Sequence, residues 1–233
     1  MVLQHYGVPT AIFTIVPREY AADELHHPAI QNLTREEITR KGIEPSVQYP
    51  LFIKPALEGS SKGISNQSRV TSFTDLWSSV IALREHFPGQ DIVVEQFADG
   101  REFTISIIGT RDKARILGIS EYIWLSPISP DALGARDGNQ REDHTSNSKD
   151  GFQTYKTKME SFFDLCDAVK VDPDRDPEAR TACEVALRAY RAVGCRDLGR
   201  VDVRSIGTGP DARPQILEVC KKMTASSPFQ SLS

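Results

Sequence analysis

Lys54, Glu95, Glu102, Arg200, Asp202 and Glu218 are the side chains through which this sequence could do chemistry. Asp202 and Glu218 lie on two predicted strands, Leu198–Ile206 and Gln215–Val219, joined by a polar turn containing Gly207, Gly209 and Pro210. Both carboxylates can therefore face one ion, and carboxylate oxygens are the hard donors that magnesium prefers. Lys54 ends a short apolar run and Arg200 stands two residues before Asp202, so each is a cation available to a triphosphate. Between the first run and the rest lies Glu58–Gly63, EGSSKG, whose small residues let backbone N–H groups approach an anion. Glu102 can accept hydrogen bonds from sugar hydroxyls, and the segment Glu95–Phe97 can offer backbone hydrogen bonds to the edge of a purine.

Taken singly, each feature has a plainer reading. Lys54 alone fits a surface lysine, EGSSKG alone a turn, Arg200 with Asp202 a same-face pair on one strand, and Glu218 an exposed strand residue. The order of these features along the chain favours the chemical reading, in which they hold a nucleoside triphosphate with a metal.

These residues must be positioned by regular elements. Thr10–Val16, Leu51–Lys54, Ile92–Phe97, Glu102–Gly109 and Ala114–Ile119 read as strands, rich in β-branched and aromatic residues. Phe73–Phe87 reads as a helix, because Leu76, Val80, Leu83 and Phe87 share one face and Pro88-Gly89 ends it. A short helix is expected around Arg35–Arg40. Asp176-Pro177-Glu178 starts another helix with a cap, a proline in the first turn and an acid, and Gly194 closes it. Asp99-Gly100 reads as the turn of a hairpin joining its two flanking strands. Residues 126–151 have almost no apolar content and read as a long loop or lid, poorly ordered without nucleotide. The outcome is an α+β chain of antiparallel strands with a few flanking helices, without internal repeats. Neither a GxGxxG after a strand nor a GxxxxGK[ST] occurs, so dinucleotide and P-loop folds are unsupported.

The bulk properties narrow the class. The 233 residues suffice for one large domain or two small lobes with real cores. A formal net charge of -4 argues against nucleic acid or an anionic membrane as partner, since both call for clustered Lys and Arg. No apolar run approaches the roughly 20 residues of a membrane span. The start, MVLQHYGVPT, lacks the basic and apolar regions of a secretory signal. Cys166, Cys183, Cys195 and Cys220 show no CxxC spacing and read as reduced thiols of a cytoplasmic protein, with disulfides or a zinc site as the alternatives, and His26-His27 reads as a solvated pair.

Several segments together carry a family resemblance. YPLFIKPALEGSSKGIS resembles the strand and glycine-rich loop of D-alanine–D-alanine ligases, members of the ATP-grasp superfamily. VVEQFADGREFT resembles their hinge and ribose-contact segment, with Glu95 and Glu102 seven positions apart. GRVDVR resembles their arginine–valine–aspartate strand, and Phe152, Tyr155 and Lys158 resemble their omega loop. ILEVC followed by MTASS resembles their metal strand and substrate loop.

The resemblance implies an ATP-grasp fold of two α+β lobes, 1–97 with the glycine-rich loop and 98–233 with the omega loop and metal strand, and a nucleotide cleft between them. It implies that Lys54 holds phosphates, that Ser60 and Ser61 close on phosphates and substrate, and that Glu95, Gln96, Phe97 and Ala98 meet the adenine. Glu102 would hold the ribose, Lys158 would approach the γ-phosphate, and Arg200 would stabilise the developing charge. Asp202 and Glu218 would bind magnesium, with manganese as the alternative ion, and Ser227 would meet the acceptor's carboxylate. The implied activity is ATP-dependent ligation of an amino acid or carboxylate to an amine through an acyl phosphate. The implied partners are small-molecule substrates, with neither nucleic acid nor membrane; a homodimer is left open.

Departures from the family pattern accompany the matches. The family carries a separate N-terminal domain ahead of the segment that starts here, ending near a nucleotide-contacting lysine that would fall just before Met1. Its third magnesium ligand is an asparagine where this chain has Cys220, and a thiol is a soft ligand ill-suited to magnesium. A Pro-Gly expected between Cys220 and Met223 is missing, and Met159 replaces a tyrosine. The sequence therefore leads to two expectations: a ligase incomplete or impaired as this chain, or a non-catalytic nucleotide-binding or interaction domain that keeps the fold.

Overall fold

Two antiparallel sheets, each with its own helix and hydrophobic core, are built from this sequence. A computed structural model of the chain describes residues 2–21, 23, 49–59, 61–124 and 166–220. The expected helix at Arg35–Arg40, His26-His27, the loop 126–151 and the omega-loop residues lie outside the described residues, as do Ser60 and Ser227. The chain divides into two compact units, passing from one to the other between Thr10 and Ala11 and again between Phe97 and Ala98.

The first unit holds a four-stranded sheet. Its strands are β1 (Phe13–Val16), β2 (Leu51–Pro55), β3 (Arg69–Val70) and β4 (Ile92–Gln96), in the order β1-β4-β2-β3. A helix that we label α2 (Phe73–His86) follows β3; it is preceded in the chain by a single turn, α1 (Val2–His5). Ser72 caps α2 by accepting from the amide of Asp75 at 3.1 Å. Strand periodicity places Leu51, Ile53, Val94, Ile92 and Val16 on the face covered by Leu76, Trp77 and Val80 of α2. The other face carries Phe52 and Lys54 of β2 and Val93 and Glu95 of β4, all half-buried. Arg84, almost fully buried, ties α2 to its surroundings by donating to the carbonyls of Gln90 and Pro17, both at 2.8 Å.

The second unit holds a five-stranded sheet in the order β7-β6-β5-β8-β9. Its strands are β5 (Glu102–Ile108), β6 (Arg115–Trp124), β7 (Cys166–Lys170), β8 (Leu198–Ile206) and β9 (Arg213–Cys220). Helix α3 (Pro177–Ala192) starts as the sequence indicates: Asp176 accepts from the amides of Glu178 and Ala179, and Pro177 occupies the first turn. Phe103, Ile105 and Ile107 of β5 and Val201 and Val203 of β8 point to the face beneath Ala182, Ala186, Ala189 and Tyr190 of α3. Residues 2–10 belong to this unit; the carbonyl of Pro9 accepts from Ile216 at 3.0 Å and that of Gly7 from Arg188 at 2.6 Å.

The Asp99-Gly100 hairpin does not form. Strands β4 and β5 belong to different sheets. The dipeptide is held against the end of β8 instead: the Gly100 amide donates to Ser205 at 2.8 Å and Asp99 accepts from Gly207 at 2.9 Å. A Cβ at residue 100 would lie 2.3 Å from the Gly207 carbonyl oxygen, so the glycine serves a close backbone approach. A turn dipeptide and a close-approach glycine leave the same local signal.

Candidate functional site

Alternation along β5 and β8 segregates the second sheet into an apolar face against α3 and a polar one. Glu102, Thr104 and Ser106 of β5 lie opposite Arg204, Asp202 and Arg200 of β8. On the far side of β8, Arg200 and Asp202 lie opposite Cys220 and Glu218 of β9. The register shifts between Asp202 and Val203, so β9 carries a bulge just before the pair that matters most. Carboxylates and guanidinium groups alternate across the sheet, the arrangement in which cross-strand pairs stabilise it.

Asp202 is the centre of this face. Arg200 grips its carboxylate in a fork, Nε to Oδ1 at 2.9 Å and Nη2 to Oδ2 at 3.0 Å, and the Thr104 hydroxyl donates to Oδ1 at 2.9 Å. The Arg200 Nη2 also reaches the Cys220 sulfur at 3.4 Å. One ligand atom from each of Asp202, Glu218 and Cys220 fits within 4.8 Å of the others, which makes these three a group able to hold a metal. Burial raises the pKa of the Asp202 carboxyl, against the opposing pull of Arg200 and Thr104. For Arg200 burial works against the charge, but Asp202 and the Cys220 sulfur outweigh it and hold the guanidinium above the usual arginine value. Burial pushes the Cys220 thiol up to about 11, with Arg200 opposing and Glu218 and Asp202 reinforcing.

The donors at this group fit magnesium only in part. Two carboxylates suit a small hard cation that favours near-octahedral oxygen coordination. The third donor is a thiol, which suits softer ions. Backbone packing fixes that thiol in place: a Cβ on Gly199 would lie 2.8 Å from the Cys220 carbonyl oxygen and 2.8 Å from the Tyr190 ring, so only glycine lets β9 lie this close at residue 220.

Glu102 occupies the next position on the polar face. Arg204, 4% exposed in its side chain, donates to the Glu102 carboxylate at 3.4 Å and to the Gly100 carbonyl at 3.2 Å. Arg204 and Thr104 were not among the residues singled out from sequence. Their signal is the two-residue spacing itself, because a strand that presents Glu102 presents Thr104, and one that presents Arg200 and Asp202 presents Arg204.

On the opposite side of the same sheet, Arg101 binds three acids. It donates to Glu121 at 2.8 and 2.6 Å, to Asp176 at 2.7 Å and to Glu178 at 3.4 Å, with its guanidinium 4.8 Å from the Phe103 ring. Hydrogen bonding to Glu121, against the cost of burial, holds Arg101 charged beyond the usual arginine range. The clamp anchors the start of α3 to β5 and β6.

In the first unit the structure brings together Lys54 and Glu95. The Lys54 ammonium lies 2.5 Å from the Glu95 carboxylate, in the middle of the face turned away from α2. At its rim the Phe52 and Phe97 rings are 5.9 Å apart and the Arg69 guanidinium stands 5.4 Å from the Phe97 ring. The amides of Gln96 and Phe97 are engaged within the unit, by the carbonyls of Ile12 at 3.0 Å and Pro50 at 3.3 Å. Ala98 is buried. In the glycine-rich loop Ser61 adopts a left-handed φ of 61, a strained state for a side chain with a Cβ and one that recurs where loops clamp ligands. Gly63 cannot be replaced there without collision, since a Cβ would lie 2.5 Å from Pro55 and 2.9 Å from Phe87. Among the described residues no helix is long and apolar enough to cross a membrane.

Comparison with known proteins gives a consistent result. The family model "D-ala D-ala ligase C-terminus" matches residues 2–128. The D-alanine–D-alanine ligase of Mycobacterium ulcerans is 32% identical over 186 residues, 78% of this chain and 41% of that protein. The chain thus spans less than half the length of that relative. Among solved structures, D-alanine–D-alanine ligase from Bacillus anthracis aligns with a TM-score of 0.59 at 19% identity, covering 94% of this chain and 54% of the other. The same Bacillus anthracis ligase complexed with ATP aligns with a TM-score of 0.57 at 17% identity, covering 94% and 53%. The α+β architecture of two antiparallel sheets is the ATP-grasp fold of these ligases.

Proposed function

This chain belongs to the D-alanine–D-alanine ligase C-terminus family, and on that premise we propose that it carries the nucleotide- and metal-binding part of an ATP-dependent carboxylate–amine ligase. The observation that carries the reading is the polar face of the second sheet. There Asp202 stands opposite Glu218, Arg200 grips Asp202, and Glu102 lies two positions along β5 from Thr104, the Asp202 donor. That ATP is the nucleotide is supported by the Bacillus anthracis ligase, whose fold this chain shares and which has been solved with ATP.

In this reading Lys54 supplies a charge-assisted contact to the phosphates, worth about 1.5–3 kcal/mol. Ser60 and Ser61 cover them from the glycine-rich loop. Glu95, Gln96, Phe97 and Ala98 line the adenine, and the Lys54–Glu95 ion pair orients both groups before the nucleotide arrives. Glu102 accepts from the ribose hydroxyls, with Arg204 holding its carboxylate in line. Arg200 neutralises charge that develops on the transferred phosphoryl group and the attacked carbonyl, a form of catalysis by fixed charge rather than by covalent participation. Lys158 and Ser227 are proposed for the γ-phosphate and the acceptor carboxylate. Asp202 and Glu218 hold a divalent cation, which when bound offsets the negative charge of the triphosphate. The division of labour follows residues 1–97, with the phosphate lysine and glycine-rich loop, and 98–233, with the hydroxyl, arginine and metal groups. The substrates are small molecules bearing a carboxylate and an amine, D-alanine among them.

A second reading is favoured by one observation, the thiol of Cys220 within the metal group: a domain that binds nucleotide without turning it over. Calorimetric titration of the chain with ATP, followed by assay of ADP release with D-alanine, tests both. Saturable ATP binding that weakens about tenfold or more in Glu102→Ala supports the nucleotide site. Absence of ATP binding overturns both readings, and ADP release that depends on D-alanine excludes the second.

A further inference from the structure

The three metal donors fit magnesium only in part, and the thiol among them is there by construction of the sheet. Cys220 ends β9 in register with Arg200, on the same face as Glu218 and Asp202, and the absence of a Cβ at Gly199 lets its backbone lie against β8. Its sulfur meets Arg200 at 3.4 Å, and the residue is partly exposed. The other described thiols, Cys183 and Cys195, are buried in the core that includes α3 and cannot serve an ion arriving from solvent.

We infer that Asp202, Glu218 and Cys220 form a site for a thiophilic divalent cation of the zinc or cobalt class, in preference to magnesium. The inference rests on the proposed reading of this face as the metal part of the nucleotide site. Softness decides the preference: thiolate selects zinc and related ions, whereas magnesium holds oxygen donors and water and gains little from sulfur. Geometry permits it. Zinc takes carboxylate oxygens at about 2.1 Å and thiolate sulfur at about 2.3 Å, so tetrahedral donors are about 3.6 Å apart. The three donor atoms already lie within 4.8 Å of one another, and side-chain rotation closes the difference. Charge permits it too. Two carboxylates and a bound thiolate are balanced by the divalent ion and the Arg200 guanidinium, so the face goes from a net negative charge to neutral when the site fills and the Cys220 proton is released to solvent. Two protein carboxylates and one sulfur leave the fourth position for water or for a phosphate oxygen, as in zinc sites that keep an open coordination place.

The test is titration of the full chain with Co2+, which reports a bound thiolate by a sulfur-to-cobalt charge-transfer band in the near ultraviolet. The expected result is a saturable band, displaced by Zn2+ and not by a large excess of Mg2+, that is abolished in Cys220→Ser and retained in Cys166→Ser. Cobalt affinity in Cys220→Ser falls at least as far as it does for loss of a residue supporting a ligand, about 10–100-fold. Cys220→Asn gives the gain that misfolding cannot mimic: it loses the band and brings Mg2+-dependent ATP binding level with or above that supported by Zn2+. Cobalt binding without the band, equal in Cys220→Ser and competed by Mg2+, overturns the inference while leaving the metal–nucleotide reading intact. A band lost in Cys166→Ser instead assigns the thiolate elsewhere and overturns it too. Failure of Co2+, Zn2+ and Mg2+ alike to bind, with or without ATP, overturns the inference and the reading together.

Discussion

Asp202 and Glu218 stand directly opposite each other on β8 and β9, one held by the Arg200 fork and the Thr104 hydroxyl, the other exposed. The contrast assigns them different tasks. Asp202 is oriented by a guanidinium and a hydroxyl, whereas Glu218 is exposed and meets only the Cys220 thiol among the groups of this face. Removing the Thr104 hydroxyl therefore disturbs the orientation of Asp202 without removing a donor. Thr104→Val should weaken metal-dependent ATP binding by about 10-fold while leaving metal-independent binding unchanged; equal loss in both arms would contradict the positioning role.

Glu102 and Arg204 predict a stability effect. Arg204 is almost fully buried, and truncating Glu102 to alanine deprives a buried charge of one partner. Loss of one charge-assisted hydrogen bond costs about 1.5–3 kcal/mol, which for a chain of this size lowers Tm by roughly 3–12 °C. Thermal unfolding by circular dichroism measures it. A Tm within error of wild type would show that Arg204 draws its support elsewhere.

The sequence made the site legible at the level of strands and left its geometry hidden. Strand β8 begins and ends at the residues read from the sequence, because β-branched residues alternate with charged ones from Leu198 to Ile206. Helix α3 was equally plain, since its cap, first-turn proline and terminal glycine are all local signals. Strand β7 was not read: Cys166–Lys170 is a short edge strand whose residues 167–170 are exposed, so no buried alternation marks it. Strand β3 has only two residues. Strand β6 runs on to Trp124, past the segment read as strand, through a stretch whose pairing with β5 and β7 rather than its composition keeps it extended. The Arg101 clamp was invisible for another reason. Its partners Glu121, Asp176 and Glu178 are distant in sequence, and only the packing of α3 against the sheet brings them together.

Gly199 predicts a coupling between core and site. A Cβ there meets both the Tyr190 ring and the Cys220 carbonyl, so Gly199→Ala should cost about 1–3 kcal/mol through overpacking. It should also push β9 away at residue 220 and weaken cobalt binding. Full cobalt affinity in a destabilised Gly199→Ala chain would separate the two effects and contradict the coupling.

The Arg101 clamp predicts a pH dependence. Hydrogen bonding to Arg101, with the helix amides, holds the Asp176 carboxyl below its ordinary value of 3.8. A group whose pKa is depressed on folding adds stability that is present above the unfolded value and is lost as pH falls through the folded one. Asp176→Asn should therefore be less stable than wild type by a constant amount at neutral pH. The gap should begin to narrow near the ordinary value of 3.8 and close below it. Denaturant melts across that range check the sign; a gap that widens on acidification would contradict it.

Lys54 predicts the affinity of the first unit for phosphate. Lys54→Met removes a cation and leaves Glu95, 13% exposed in its side chain, without this ion pair. ATP affinity should fall about 10–100-fold, the worth of one charge-assisted contact, and Glu95→Gln should fall less because the lysine remains. A larger loss in Glu95→Gln than in Lys54→Met would assign nucleotide recognition to the carboxylate instead.

In the proposed reading the polar face of the second sheet binds nucleotide through a metal held by Asp202 and Glu218. Calorimetric titration of ATP into the full chain and into Asp202→Asn, each with and without a divalent ion, tests it most directly. Binding that the ion strengthens is expected in the wild type, with Asp202→Asn losing this metal-dependent gain while keeping the weaker metal-independent affinity. Metal-dependent binding of equal strength in both chains would contradict it.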